Sequence, residues 1–306
     1  MIDPKFLTFI SLCETRNYTK TAELLYITQP SVTNHIKMLE RNYDIKLFTS
    51  NNKNFQLTPE GELLYKYVLQ LKAMDAQFER MLSASEKNKE HLTFSVTKNI
   101  NNSFLKHVLL KWSKENEDLL YTLNIREHET ILNELNQGLI DFAIIDTRFT
   151  KKNYQVIELM KTGLVLGVNK KHPLAKLKKV SFDVLSKEKL ILDISGTGKR
   201  DFLESELKLH NRSLKDITAI EINCPKTTVD MVINGGYVSV FYKCEIEDEI
   251  KSGKIVPIDI AETVNTVNFS LIFNKNHLSS KKIEKIAQDL SKIYNEINYL
   301  KYSTSY

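Results

Sequence analysis

The sequence predicts an α/β fold class: an N-terminal winged helix-turn-helix, one long connecting helix, and a C-terminal α/β domain of two lobes. Three observations carry this. Three short amphipathic helix patterns fill the first forty or so residues, and a polar loop flanked by two short apolar strands follows them. Residues 59–86 then read as a single helix with no breaker after Gly61. From His91 onwards, strand and helix patterns alternate to the end of the chain.

The length of 306 residues suits two or three modules rather than one core. Hydrophobic residues make up 42% and charged residues 26%, as in an ordinary soluble domain. Gly (9) and Pro (6) are too scarce for a long flexible linker. No apolar run reaches the ~18 residues of a membrane span, so no membrane partner is expected. The N-terminus lacks a basic region before its apolar stretch, which argues against a signal peptide. The expected location is the cytoplasm. Cys13, Cys224 and Cys244 are odd in number and far apart, which suits reduced, buried or part-buried thiols; a redox role for Cys224 or Cys244 is the lesser alternative. The net charge of +5 permits a nucleic-acid partner without demanding one. Residues 1–60 carry seven cations against six anions, so any DNA argument rests on placement.

The first helix begins near Asp3, a capping residue, with Pro4 in its first turn. Phe6, Phe9, Ile10 and Cys13 form its apolar face. The second runs over 18–25, capped by Asn17 or Thr19, with small Ala22 allowing a close crossing. The third starts at Thr28. Val32, Ile36 and Leu39 share its buried side. Gln29, Pro30, Ser31, Thr33, Asn34, Lys37 and Arg41 lie outside that stripe. Hydroxyls, amides and cations with no carboxylate among them suit phosphate oxygens and base edges of double-stranded DNA. The short turn Tyr26-Ile27 makes a helix-turn-helix, whose second helix enters the major groove. Apolar strands at 45–48 and 55–58 enclose a polar loop and form a wing, with Lys53 as its cation. By themselves, three such helices also fit a plain helical subdomain.

The run TKTAELLYITQPSVTNHIKMLERNYDIKLF, followed by LTPEG, resembles the LysR-type transcriptional regulators. The matching elements are Thr21-Ala22, Gln29-Pro30-Ser31-Val32, Leu39-Glu40, Leu47-Phe48 and Leu57-Thr58-Pro59-Glu60-Gly61. Ser50 stands where the family usually has Arg, and Lys53 is the wing's remaining cation, which departs from the pattern. The resemblance implies DNA binding through 1–58 and a linker helix over 59–90 that joins a homodimer. It also implies a homotetramer of two such dimers, and an effector-binding domain over 91–306 like periplasmic binding proteins. On that pattern one lobe is 91–161 with 266–306 and the other is 162–265.

The linker helix carries Leu64, Tyr67, Leu71, Met74, Phe78 and Met81 at alternating spacings of three and four, a short coiled-coil seam. Beyond it, strands are expected at 92–97, 119–125, 142–145, 164–168, 190–194, 219–222, 238–241 and 267–273, in parallel-type sheets. Helices are expected at 104–114, 131–136 and 279–297. Ligands of such folds sit beyond strand C-termini near helix N-termini. The loops there offer Lys98, Asn99, Ile100, Asn101, Asn102, Ser103, Arg126 and Asp146 from one lobe. The other offers Ser195, Gly196, Thr197 and Thr227, with Lys199 and Arg200 adding positive field. These donors suit a small anionic metabolite, and the family places its effector there; simple helix capping is the alternative.

No catalytic motif of the GxSxG, HExxH or GxGxxG type occurs, and the seven histidines lack metal spacing. No enzyme, metal or cofactor is expected. A ligand-independent DNA binder, or an enzyme built on the lobes, are the alternatives to an effector-modulated regulator.

Overall fold

The computed structural model describes residues 2–49, 56–86, 91–146, 153–261, 263 and 266–303. By contacts the chain divides into two compact units, Met1–Asn88 with Glu134–Leu139, and Lys89–Asn133 with Ile140–Tyr306.

In the first unit, helices α1 (Pro4–Thr15), α2 (Tyr18–Leu24) and α3 (Gln29–Tyr43) pack around Phe9, Leu12, Val32, Ile36 and Leu39. Each is capped by a residue whose side chain accepts a first-turn N–H: Asp3 from Lys5, Asn17 from Lys20, Thr28 from Ser31. Polar bonds fix how the helices cross. The Thr8 hydroxyl meets His35 Nδ1 at 2.8 Å, and the Thr15 and Thr21 hydroxyls meet at 2.6 Å. Buried Ala22 lets α2 approach closely.

The wing is smaller than the sequence implies. Its two strands reduce to one antiparallel bridge, Phe48 with Leu57, flanked by Thr49 N–H to Gln56 O (2.9 Å) and Thr58 N–H to Leu47 O (3.0 Å). Residues 50–55, Lys53 included, lie outside the described residues. Glu40 ties this wing to α3, accepting from Leu47 N–H and from Lys46 Nζ, both at 3.0 Å.

Helix α4 (Pro59–Glu86) follows. Its expected seam needs one correction. Leu64 is buried with Val68 in the core of the helix-turn-helix, while Leu63 is 71% exposed. The first turns of α4 are apolar on two sides, and spacing alone does not say which side meets its own domain. The exposed apolar residues on the described part are Leu63, Tyr67, Phe78 and Leu82.

In the second unit, one sheet runs β2 (Leu120–Ile125), β1 (His91–Val96), β3 (Phe142–Ile145), β10 (Thr266–Asn274), β4 (Tyr154–Asn169). The first three are mutually parallel, and β10 runs antiparallel to both its neighbours, β3 and β4. Between Gly163 and Leu164 strand β4 changes partners. From Leu164 it pairs with β8 (Val238–Tyr242), and from Leu166 also with β9 (Ile255–Ile260). β8 continues in parallel to β6 (Leu190–Leu192) and β7 (Ala219–Glu221). The sheets are therefore mixed, with antiparallel strands where the sequence suggests parallel ones. Helices α6 (Lys106–Glu115) and α12 (Ser280–Ser303) cover the first sheet, burying Trp112 and Tyr294 against it. Helices α9 (Gly198–Leu209) and α10 (Pro225–Gly235) flank the second.

No described helix is long and apolar enough to cross a membrane.

Candidate functional site

Two sites follow from this frame, one in each unit. On α3, Gln29, Pro30, Asn34, Lys37 and Arg41 are exposed, and Ser31 and Thr33 are half-buried. Spacings of three and four put Pro30, Asn34, Lys37 and Arg41 on one stripe opposite the buried Val32–Ile36–Leu39 side. The helix start carries no carboxylate. Thr28 and Ser31 share a hydroxyl contact of 2.8 Å, and Thr33 donates back to Gln29 O at 3.2 Å. The end of α3 is set by Asp44 in the left-handed region (φ 52°). The result is a rigid polar rod projecting amides, hydroxyls and two cations.

In the second unit, a narrow cleft open to solvent lies beyond the C-terminal ends of the parallel strands. Thr97, Lys98 and Asn99 follow β1, Arg126 follows β2 and Asp146 follows β3. Opposite them stand Asp193 after β6, Gly196 to Gly198 entering α9, and Asn223 to Pro225 entering α10. Asp146 is buried, and its carboxylate accepts from the Thr97 hydroxyl (2.8 Å), the Asn99 amide (3.1 Å) and the Tyr242 hydroxyl (2.8 Å). The last of these ties the β3 end to the β8 end. Lys98 Nζ reaches across to Asn223, contacting its backbone oxygen and, at 3.0 Å, Oδ1.

Of the sequence-predicted residues, Lys98, Asn99, Arg126, Asp146, Gly196 and Thr197 line this cleft. Thr197 Oγ1 also donates to Ile194 O at 2.9 Å, a turn bond. Ile100 and Ser103 face the interior, Ser103 donating to Asn99 O at 2.6 Å. Asn101 and Asn102 are half-buried in a π-helical segment, Asn101–Leu105, and Ser195 and Thr227 are exposed. Lys199 points away from the cleft into its own lobe. Its ammonium, 3% exposed, meets Glu245 at 3.0 and 3.2 Å and Asp193 at 3.4 Å. Burial opposes its charge, but Glu245 and Asp193 outweigh that and hold its pKa above the usual lysine value. Arg200 is engaged by Glu204 and Glu221. Thr97, Asp193, Asn223 and Tyr242 are the residues the sequence reading missed.

Burial lowers the pKa of His128 at the cleft, against the pull of Asp146 and Asp201. Cys224 is exposed, not buried as the sequence suggests. A hydrogen bond from Thr227 lowers its pKa, whereas burial raises Cys13 to about 12 and Cys244 to about 11.

Comparison with known proteins bears on both sites. Residues 5–62 match the family model of the bacterial regulatory helix-turn-helix protein, lysR family, and residues 85–292 match the LysR substrate binding domain. The chain is similar to the HTH-type transcriptional regulator CysL of Bacillus subtilis, with 26% identity over 278 residues covering 90% of each chain. Its fold resembles a Corynebacterium glutamicum OxyR C206 mutant, with a TM-score of 0.61 at 20% identity over 98% of this chain and 95% of that one. It also resembles full-length CbnR solved with its target DNA, with a TM-score of 0.52 at 17% identity over 95% and 100% of the two chains. The chain is a DNA-binding transcription regulator rather than an enzyme, and it belongs to the LysR family.

Proposed function

We propose that this regulator grips operator DNA as a homodimer, and that a small ligand with an anionic group, bound between its lobes, modulates the grip. The observation that carries the ligand reading is the cleft itself. Lys98 and Arg126 come from one side of it, and the glycine-bearing turn Gly196–Gly198 and Asn223 from the other. A ligand touching both sides favours one lobe arrangement, and it shifts the protein only as far as its affinities for the two arrangements differ. Segmentation into 1–58, 59–90 and 91–306, with lobes of 91–161 plus 266–306 and of 162–265, is part of this reading, as is action in the cytoplasm. Operator affinity of the full-length protein, titrated with small organic acids, tests it. An affinity that no acid changes would count against an anionic effector.

Base reading falls to Gln29, Ser31, Thr33 and Asn34, and phosphate contact to Lys37 and Arg41. Asn34→Ala is expected to relax base preference at one operator position, worth ~1–3 kcal/mol of discrimination. Lys37→Ala is expected to weaken binding on all sequences and to flatten the salt dependence by about one unit. Binding titrations at several salt concentrations read both; wild-type behaviour in both variants would remove α3 from the groove.

The homodimer is assigned to the exposed stripe of α4. Tyr67 and Phe78 are 49% and 52% exposed and lie eleven residues, about three turns, apart. Phe78→Glu puts a charge into the seam and is expected to separate the protomers, while the fold, which does not bury Phe78, stays intact. Sedimentation at micromolar concentration reads the result, and an unchanged oligomer would rule this seam out. A tetramer of two such dimers completes the proposed assembly.

A further inference from the structure

Three polar contacts join the ends of the two sheets of the second unit, and they step outward from strand β4, which both sheets share. Innermost, the Tyr242 hydroxyl at the end of β8 donates to buried Asp146 after β3 at 2.8 Å. Tyr242 pairs with Leu164, where β4 changes partners, so this contact sits beside the crossing point. Next, the Asn99 amide after β1 reaches Asp193 after β6 at 3.5 Å. Outermost, Lys98 after β1 meets Asn223 after the edge strand β7, touching its backbone oxygen and, at 3.0 Å, its Oδ1. A rotation about β4 lengthens this outermost contact most. It is also the exposed one, whereas the inner two are buried or part-buried. Its chemistry is the easiest to replace. Both acceptors of the Lys98 ammonium are neutral oxygens, and among the described residues no carboxylate pairs with it. A carboxylate or phosphate oxygen binds an ammonium more strongly than a neutral oxygen does. An anion that reaches Lys98 therefore displaces Asn223, and with it the outermost tie across the cleft.

We propose that Lys98–Asn223 is a strap that an anion opens: a carboxylate or phosphate group takes the Lys98 ammonium from Asn223, and the two sheets part at the mouth of the cleft. This rests on reading the cleft as the ligand site, and it gives that reading a direction, opening rather than closure. The Tyr242–Asp146 contact beside β4 stays made and acts as the hinge side. Because Asn223 is neutral, it holds Lys98 firmly enough to tie the sheets and weakly enough to yield to a charged competitor.

The test is hydrogen exchange of the full-length protein, read over residues 97–103 and 223–228 at the two sides of the mouth. Lys98→Met keeps an apolar stem and removes the charge; it is expected to speed exchange there about fivefold, as loss of one exposed charge-assisted bond would. Asn223→Asp gives the ammonium a carboxylate of its own and should slow exchange by a similar factor. Acetate, succinate and inorganic phosphate are the probes, each compared with chloride at equal ionic strength. At least one should speed exchange of the wild type and leave both variants unchanged, and which one does so separates a carboxylate from a phosphate ligand. The strap is overturned if Lys98→Met exchanges like wild type, or if no probe speeds exchange. A probe that slows exchange at the mouth also overturns opening, but it leaves the cleft as the ligand site. No change with any probe, together with an operator affinity that no acid alters, sinks both.

Discussion

Lys199→Met is expected to destabilise the C-terminal unit by about 3–5 kcal/mol, because it leaves buried carboxylates without their cation. The side chains of Lys199 and Glu245 are 3% and 4% exposed, and Asp193 shares the same ammonium. The corresponding fall in Tm is on the order of 10 °C. Two further readouts separate this from simple loss of packing. Glu245→Gln added to Lys199→Met should recover part of the loss, since it removes one stranded charge. The pH dependence should also change. Burial already raises the Glu245 carboxyl above its usual value, with Lys199 pulling it down. Without Lys199 that pull is gone and the folded-state pKa rises further. A carboxyl with a raised folded pKa binds its proton more tightly folded than unfolded, so stability grows as pH falls through that pKa. The deficit of the variant should therefore be smaller at about pH 5 than at about pH 8. A variant that melts with wild type at both pH values would mean the ion pair contributes nothing.

How much of this was legible beforehand depends on where local signals decide the outcome. Capping is such a case: Asp3, Asn17 and Thr28 each accept the first-turn N–H that their position in the sequence suggests. The apolar run 142–145 is likewise strand β3, buried throughout. The start of β4 was not legible. Residues 154–163 alternate poorly and carry Glu158 and Lys161, and they are a strand because β10 pairs with them, with a register shift at Phe269/Ser270. Strand β9 hid behind Pro257, which ordinarily argues against a strand. Here it sits opposite Gly167 on β4.

At the cleft, residues in polar strand-end loops were readable from sequence, and so was Asp146, whereas Thr97 and Asp193 at the other strand ends were not. A signal for Asp193 did exist. It ends the apolar run Leu190–Leu192 as Asp146 ends Phe142–Ile145, so each lobe closes a buried strand with an aspartate at the same kind of position. Lys199 failed for the opposite reason. Its place after a glycine turn resembles a ligand loop, but helix α9 turns its side chain inward to Glu245. That placement depends on where Glu245 arrives from β8, which spacing along α9 does not encode.

Gly61→Ala is expected to cost the helix-turn-helix unit roughly 1–3 kcal/mol, as overpacking does, although alanine is the better helix former. Gly61 is in the first turns of α4, where that helix passes the wing. A Cβ there would run into the backbone oxygen of Leu47, and a backbone atom cannot swing aside as a side chain does. The neighbouring bonds leave little slack. Leu47 O accepts from Thr58 N–H (3.0 Å), the Thr58 hydroxyl donates to Lys46 O, and Gly61 N–H donates to Thr58 Oγ1 (2.9 Å). Thr58 thus caps α4 and holds the wing with one hydroxyl, and Gly61 lets the helix come close enough for it to do so. Pushing α4 away strains both contacts and shifts the wing relative to α3, which Glu40 otherwise fixes through Leu47 N–H. Operator affinity should fall along with stability. Thr58→Val should act in the same direction, by losing the cap and the Lys46 bond. Gly253→Ala serves as the control: its φ of 63° strains any side chain, but it lies in the other unit with open space around it. It should lower the stability of that unit without altering the melting of the helix-turn-helix. If Gly61→Ala instead raises stability in line with helix propensity, the close approach at Leu47 does not govern how α4 meets the wing.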